Sequence, residues 1–174
     1  MSRRVTDAVA TQIMACGKSI HSTPDWKLTG NGDLRTDMDV VSTMGEHLHL
    51  GGRISAKYAG KSTWWLLWGS KEHGECEEQL RRLDIRGSHS NPDGERWERR
   101  THKHLWSVEL KNEHAYTPDD IPHDQPGTLV TRDNYREIFE AFAAECGIET
   151  GPDYLWSEPI FKEQAGQKSI WEVQ

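Results

Sequence analysis

The chain reads as an α+β protein: an antiparallel sheet of about five strands, with a C-terminal amphipathic helix packed on one face. Three observations carry that reading. Leu83 and Ile85 alternate with Arg82, Asp84 and Arg86, the period-2 pattern of a half-buried strand. Thr63-Trp64-Trp65-Leu66-Leu67-Trp68 is apolar on both faces, as a central strand covered from two sides would be. Tyr135, Ile138, Phe139, Phe142, Ala143 and Cys146 recur at helical spacing and form one stripe, which must pack on something, most simply the sheet.

In chain order, Ser2 is placed to cap a short helix over Val5, Ala8, Val9, Gln12, Ile13 and Cys16, stopped by Gly17. Residues 18–37, rich in Gly, Pro, Asn and Asp, read as loop. Met38–Leu50 is expected to be a strand interrupted near Gly45. Gly51-Gly52 then turns the chain into a second strand over Arg53–Tyr58. Thr63–Trp68 is the third, and Gly69–Gln79 an acidic connection. The fourth strand begins at Leu80 and gives way at Gly87 to a loop in which Asn91-Pro92 and Asp93-Gly94 are turn signals.

The fifth strand climbs through Thr101, and its His102 and His104 share a parity with Trp106, Val108 and Leu110. Beyond Tyr116 a proline-rich loop leads to a helix over 131–146, with Thr131 as N-cap, Asp133 in the first turn and Gly147 as the stop. The expected organisation is one domain over 1–174: helix and loop to 37, sheet over 38–110, helix over 131–146, and a tail over 152–174 carrying Tyr154, Trp156, Phe161 and Trp171.

Composition narrows the function classes. Eight Trp supply burial that a disordered chain lacks, and 28% charged residues point to a soluble protein. No stretch approaches the roughly 18 apolar residues of a membrane span. Asp7, Thr11 and Gln12 occupy the place of a signal peptide's apolar core, so the expected compartment is the cytoplasm, with no membrane partner. Cys16, Cys76 and Cys146 fit neither a disulfide framework nor a zinc knuckle and read as reduced thiols. The net charge of -7 disfavours indiscriminate nucleic-acid binding, yet residues 81–104 hold seven Arg or Lys against four acids. A basic face on an acidic protein suits selective contact with a phosphate-bearing ligand; a solvated hairpin with paired charges is the bland reading.

Two Gly-Lys-Ser sequences, Gly17-Lys18-Ser19 and Gly60-Lys61-Ser62, echo a phosphate-binding loop. Both lack its earlier glycine: position 12 is Gln and position 55 is Ser. The chemistry concentrates instead in His89, His102, His104, Asp84 and the neighbouring arginines, for which three readings stay open. A metal-free ribonuclease-like site would use one imidazole as base and another as acid, with Arg or Lys on the phosphorane. A metal site would use His102 and His104, side by side on a strand, with His89 or Asp93 as third ligand and zinc as the ion. A structural role would satisfy the rings with backbone carbonyls and carboxylates. His47 and His49 form a second pair, read as an ordinary polar face. Trp97, between Arg96 and Arg99, is placed to stack on a base, to anchor a protein partner, or to fold back over the hairpin.

Leu80-Arg81-Arg82-Leu83-Asp84-Ile85-Arg86-Gly87, then His89-Ser90-Asn91-Pro92-Asp93-Gly94, then Thr101-His102-Lys103-His104, resembles a family of small prokaryotic proteins of unknown function. Its pattern runs LLRLDI-G-(P)HxNPDG…HxH, followed by an aromatic-rich segment and a C-terminal helix. The resemblance covers about residues 80–146 and, weakly, 46–68. It implies an accessory protein of bacteria or phages, of the sort found beside toxin–antitoxin or defence genes. After His104 the family tends to Ile-Tyr-Arg where this chain has Leu105-Trp106-Ser107, and Arg96–Arg100 is inserted in the loop. The inserted arginines would take over the role of the missing one.

The functional expectation is a toxin-like protein acting on RNA. His89, His102 and His104 would form the acid/base set and Asp84 would orient a ring. Arg82, Arg86 and Arg99 would contact phosphates and Trp97 would assist RNA binding. No cofactor is required, zinc being the ion if His102, His104 and His89 bind one. The alternative is a non-enzymatic binding or inhibitor protein, a phage or host factor acting on a defence or toxin partner.

Overall fold

The computed structural model describes residues 3–58, 60–118 and 134–161. Ser2, Thr131, Asp133 and the tail beyond 161 lie outside them, so the caps assigned to Ser2 and Thr131 do too. The first helix, α1, spans Asp7–Ala15 and is capped by Thr6, whose hydroxyl accepts from the Val9 N–H. Its last carbonyls are held by Lys18, whose buried Nζ donates to the oxygens of Ile13, Met14 and Cys16 at 2.6, 3.0 and 2.9 Å.

The strands follow as β1 (Lys18–Ile20), β2 (Lys27–Leu28), β3 (Leu34–Ser42), β4 (Leu48–Ile54) and β5 (Ser62–Trp68). After a short 3-10 turn over Lys71–His73 come β6 (Glu78–Ser90), β7 (Arg96–Leu105) and β8 (Ala115–Tyr116). The helix α2 (Tyr135–Glu145) and β9 (Ile148–Thr150) complete the order. Among the described residues the sheet has nine strands, more than the five expected, in the order β8-β7-β6-β5-β4-β3-β1-β9 with β2 beside β3. Every pairing is antiparallel except β1 with β9. The five long strands, β3 to β7, are those that periodicity can detect, but the first two differ in their bounds: Met38–Leu50 takes in the end of β3, a turn and the start of β4, and the strand expected over Arg53–Tyr58 holds only the last two residues of β4. The additional ones are two or three residues long, too short to show a period, and two of them fall in the stretch 18–37 read as loop.

Gly51-Gly52 is not a turn. Both lie inside β4, paired with Trp65 and Trp64 on β5. A Cβ on either glycine would run into the facing indole, so the missing side chains make room for the tryptophans. With β5 fourth from one edge and fully paired, its aromatic run is central. The α2 stripe packs as its spacing requires: Tyr135, Ile138, Phe139, Phe142, Ala143 and Cys146 are all buried, in one core with Trp64, Leu83 and Ile85. Leu83 and Ile85 thus mark the helix-covered face of β6, and Asp84 and Arg82 project from the other.

Candidate functional site

The register of the β6–β7 hairpin sets Asp84 opposite His102, Arg82 opposite His104 and His89 opposite Trp97. All lie on the face away from α2. Lys103, between the two histidines, points to the helix face and pairs with Glu145 of α2. Val108 and Leu110 do not continue the buried row, because β7 ends at Leu105 and both are exposed.

The turn brings His89 back to the other rings, with its centroid 5.9 Å from that of His102 and 4.7 Å from that of His104. The cluster is closed at Asp84, His102 and His104, whereas His89 is half-buried at its edge. His102 and His104 have 0% exposure and Asp84 3%. Each ring donates to a main-chain carbonyl: His102 Nδ1 to Arg100 at 2.9 Å, His104 Nδ1 to Asn112 at 2.7 Å, and His89 Nε2 to Glu113 at 2.7 Å. A carbonyl only accepts, so those nitrogens carry the protons. His104 Nε2 lies 3.2 Å from Asp84 Oδ2. His102 Nε2 is 3.3 Å from the same oxygen but finds no hydrogen-bond partner. Asp84 is also bound by Thr63 Oγ1 at 2.6 Å and Arg82 Nη2 at 2.9 Å. Burial works to raise the Asp84 pKa; the His102 and His104 rings, which favour the carboxylate only when Nε2 carries a proton or another positive charge, the Arg82 charge and the Thr63 hydroxyl outweigh it and hold the carboxyl well below the ordinary range.

Trp97 is 3% exposed, which fits the fold-back reading and not the two that need it on the surface between arginines. The reason is that β7 begins at Arg96, so Trp97 is a strand residue rather than a loop residue, and its side chain turns inward. Its ring lies 5.4 Å from His102, and the Arg100 guanidinium sits 4.4 Å above it. Access to His102 is therefore blocked by tryptophan, and the placement removes Trp97 as an exposed stacking surface.

The open part of this face lies beside the cluster. A cleft of about 350 Å³ is bordered by Asp84, Arg82, Thr63, Arg53 and Asp33. A second, of about 470 Å³, shares Lys57, Tyr58, Lys61 and Ser88 with it and adds Arg86 and Arg99. Arg53 is matched by Asp33 and Arg82 by Asp84. Among the described residues no carboxylate lies within ion-pair distance of Lys57, Lys61 or Arg99. Tyr58 is 60% exposed. Arg86 and Arg99 adopt left-handed backbone angles, φ 52 and 50, and Arg86 falls where the hairpin register slips between Asp84 and Gly87.

Arg53, Lys57, Tyr58 and Lys61 went unnoticed as site residues in the sequence. One signal was present: Lys61 belongs to a Gly-Lys-Ser sequence that fails as a phosphate loop because it enters β5 rather than a helix. Its lysine nevertheless borders the basic cleft. The second histidine pair is dispersed, His47 with Glu75 at 2.9 Å and His49 with Asp39 at 3.0 Å.

The chain belongs to DUF6978, a family of unknown function, whose model matches residues 5–148. The match begins far upstream of the hairpin and takes in the sheet and α2. No curated protein and no solved structure matches the chain. Among the described residues no helix is long and apolar enough to cross a membrane.

Proposed function

We propose that this protein binds single-stranded RNA along the basic cleft, and that His102 and His104 hold the hairpin in shape instead of moving protons. The observation that carries the reading is the convergence of Lys57, Lys61, Arg86 and Arg99 around one concave surface beside an exposed Tyr58. Cations tracking a backbone beside an aromatic ring are the usual means of gripping a single strand. General acid–base catalysis needs imidazoles within hydrogen-bond reach of the substrate, and rings with no solvent exposure have no such reach. A toxin-like protein and a factor that blocks a defence or toxin partner would both use this face. A cleft suits the narrow cross-section of a strand better than the broad, flatter surface of a protein partner.

The test is fluorescence anisotropy with a short labelled single-stranded RNA over a salt series. The wild type should bind at low salt, and Lys61→Ala and Arg99→Ala should each weaken binding. Each should also reduce the slope of log K against log salt by about 0.7, the increment for one single-strand phosphate contact. Absence of binding at low salt, or slopes unchanged in both variants, refutes the proposal. The same RNA should be recovered intact; cleavage that disappears in His104→Gln would restore the catalytic role to the histidines.

A further inference from the structure

Two neutral imidazoles cannot rest comfortably with both free nitrogens against one carboxylate oxygen. Each Nδ1 is committed to a main-chain carbonyl, so each Nε2 presents its lone pair toward Asp84 unless something positive lies between. His102 Nε2 is fully buried and finds no hydrogen-bond partner. The three donor atoms, one from each side chain, lie within 4.8 Å of one another. The two nitrogen–oxygen separations are 3.2 and 3.3 Å. A tetrahedral ion with bonds near 2.0–2.1 Å sets its ligand atoms about 3.3 Å apart.

We propose that Asp84, His102 and His104 form a site for a divalent transition-metal ion of the zinc class, enclosed beneath Trp97. Two nitrogens and one oxygen select a borderline ion over calcium or magnesium, which prefer oxygen alone. The surrounding contacts are those a metal site needs. The carbonyls of Arg100 and Asn112 fix both rings with Nε2 inward, and the Thr63 hydroxyl orients the carboxylate through Oδ1. Arg82 reaches Oδ1 as well, at 3.2 Å, and retains that contact when Oδ2 ligates. His89 and Asp93 both stand outside the set, in contrast to the sequence expectation that one of them is the third ligand. Water completes the fourth position. The ion would bolt β6 and β7 to the Asn112 segment, and the inference does not depend on RNA binding.

The experiment uses the untagged full chain, stripped with a chelator and dialysed against zinc chloride alone. Elemental analysis should give one zinc per chain, and cobalt in its place should give the visible absorption of a tetrahedral site. His104→Gln should bind zinc at least tenfold more weakly, whereas a variant with Cys16, Cys76 and Cys146 all changed to Ser should bind as the wild type does. Because a ligand variant can fail to fold, the deciding measurement is on the wild type. Long-range proton–nitrogen spectra should show the Nε2 signals of His102 and His104 moving with one equivalent of zinc while Nδ1 stays protonated. Less than stoichiometric zinc, or rings that ignore it, overturns the site and leaves a protonated histidine–aspartate cluster.

Discussion

Arg86 and Arg99, on adjacent strands of one hairpin, both hold left-handed backbone angles and both border the same cleft. That conformation disfavours a residue with a Cβ by about 1–2 kcal/mol. The surrounding hairpin must therefore impose it.

Replacing Arg99 by glycine should separate stability from binding. Arg99→Gly removes the strain but loosens the unfolded chain, so urea denaturation should show a net gain of about 0.5–1 kcal/mol. Its RNA affinity should fall. Arg99→Ala should lose the same affinity without the gain, and equal stabilities for the two variants would contradict the backbone strain at Arg99.

Asp84 is the most heavily committed polar side chain on this face, and Asp84→Asn should destabilise the fold by about 3–5 kcal/mol, as when one partner of a buried ion pair is removed. Its folded-state pKa is lowered, so its stabilisation is complete above the unfolded value of about 3.9 and is lost as pH falls below it. Denaturation midpoints between neutral pH and pH 3 should fall more steeply for the wild type than for the variant. Parallel acid limbs would show that Asp84 is not the titrating group.

Trp97 seals His102, so Trp97→Ala should admit water and reagents. A stability loss of about 3–5 kcal/mol is expected for emptying this volume. In protein stripped of metal, diethyl pyrocarbonate, followed by peptide mapping, should then modify His102 at its free Nε2, which ought to be protected in the wild type and in Trp97→Phe. Equal labelling in all three proteins would show that the ring is reached by another route.

Gly52→Ala places a methyl group against the Trp64 indole, which itself packs on Phe139 of α2 with ring centroids 5.6 Å apart. The indole must shift, at a cost of about 1–3 kcal/mol. Near-ultraviolet circular dichroism should change with it; an unaltered spectrum at wild-type stability would mean that β4 yields instead.

These sites show which features were legible in the sequence. The stripe from Tyr135 to Cys146 and the aromatic run of β5 were visible because burial imposes a period on many consecutive residues. The hairpin was visible because Asn91-Pro92 and Asp93-Gly94 mark its turn. Gly51-Gly52 misled because glycine has two uses. Local pattern favours a turn, and only the partner strand reveals that two indoles need the space. Trp97 misled for a related reason: its neighbours are charged, and their polarity hid a strand that begins at Arg96. The grouping of Asp84 with His102 and His104 followed from strand parity and pairing. The cleft did not, since Lys57, Tyr58 and Lys61 come from a loop whose position against the hairpin no local pattern encodes.

The ends of the sheet path are occupied by β8 and β9, of two and three residues. A wide sheet with long unpaired margins would present rows of free amides and carbonyls to any copy of itself. Here the β1–β9 margin is only three residues long, while among the described residues β8 covers only Lys103 and His104 of β7. The uncovered start of β7 carries Arg96, Glu98, Arg99 and Arg100, and charge along an edge discourages pairing with another copy where shortness does not.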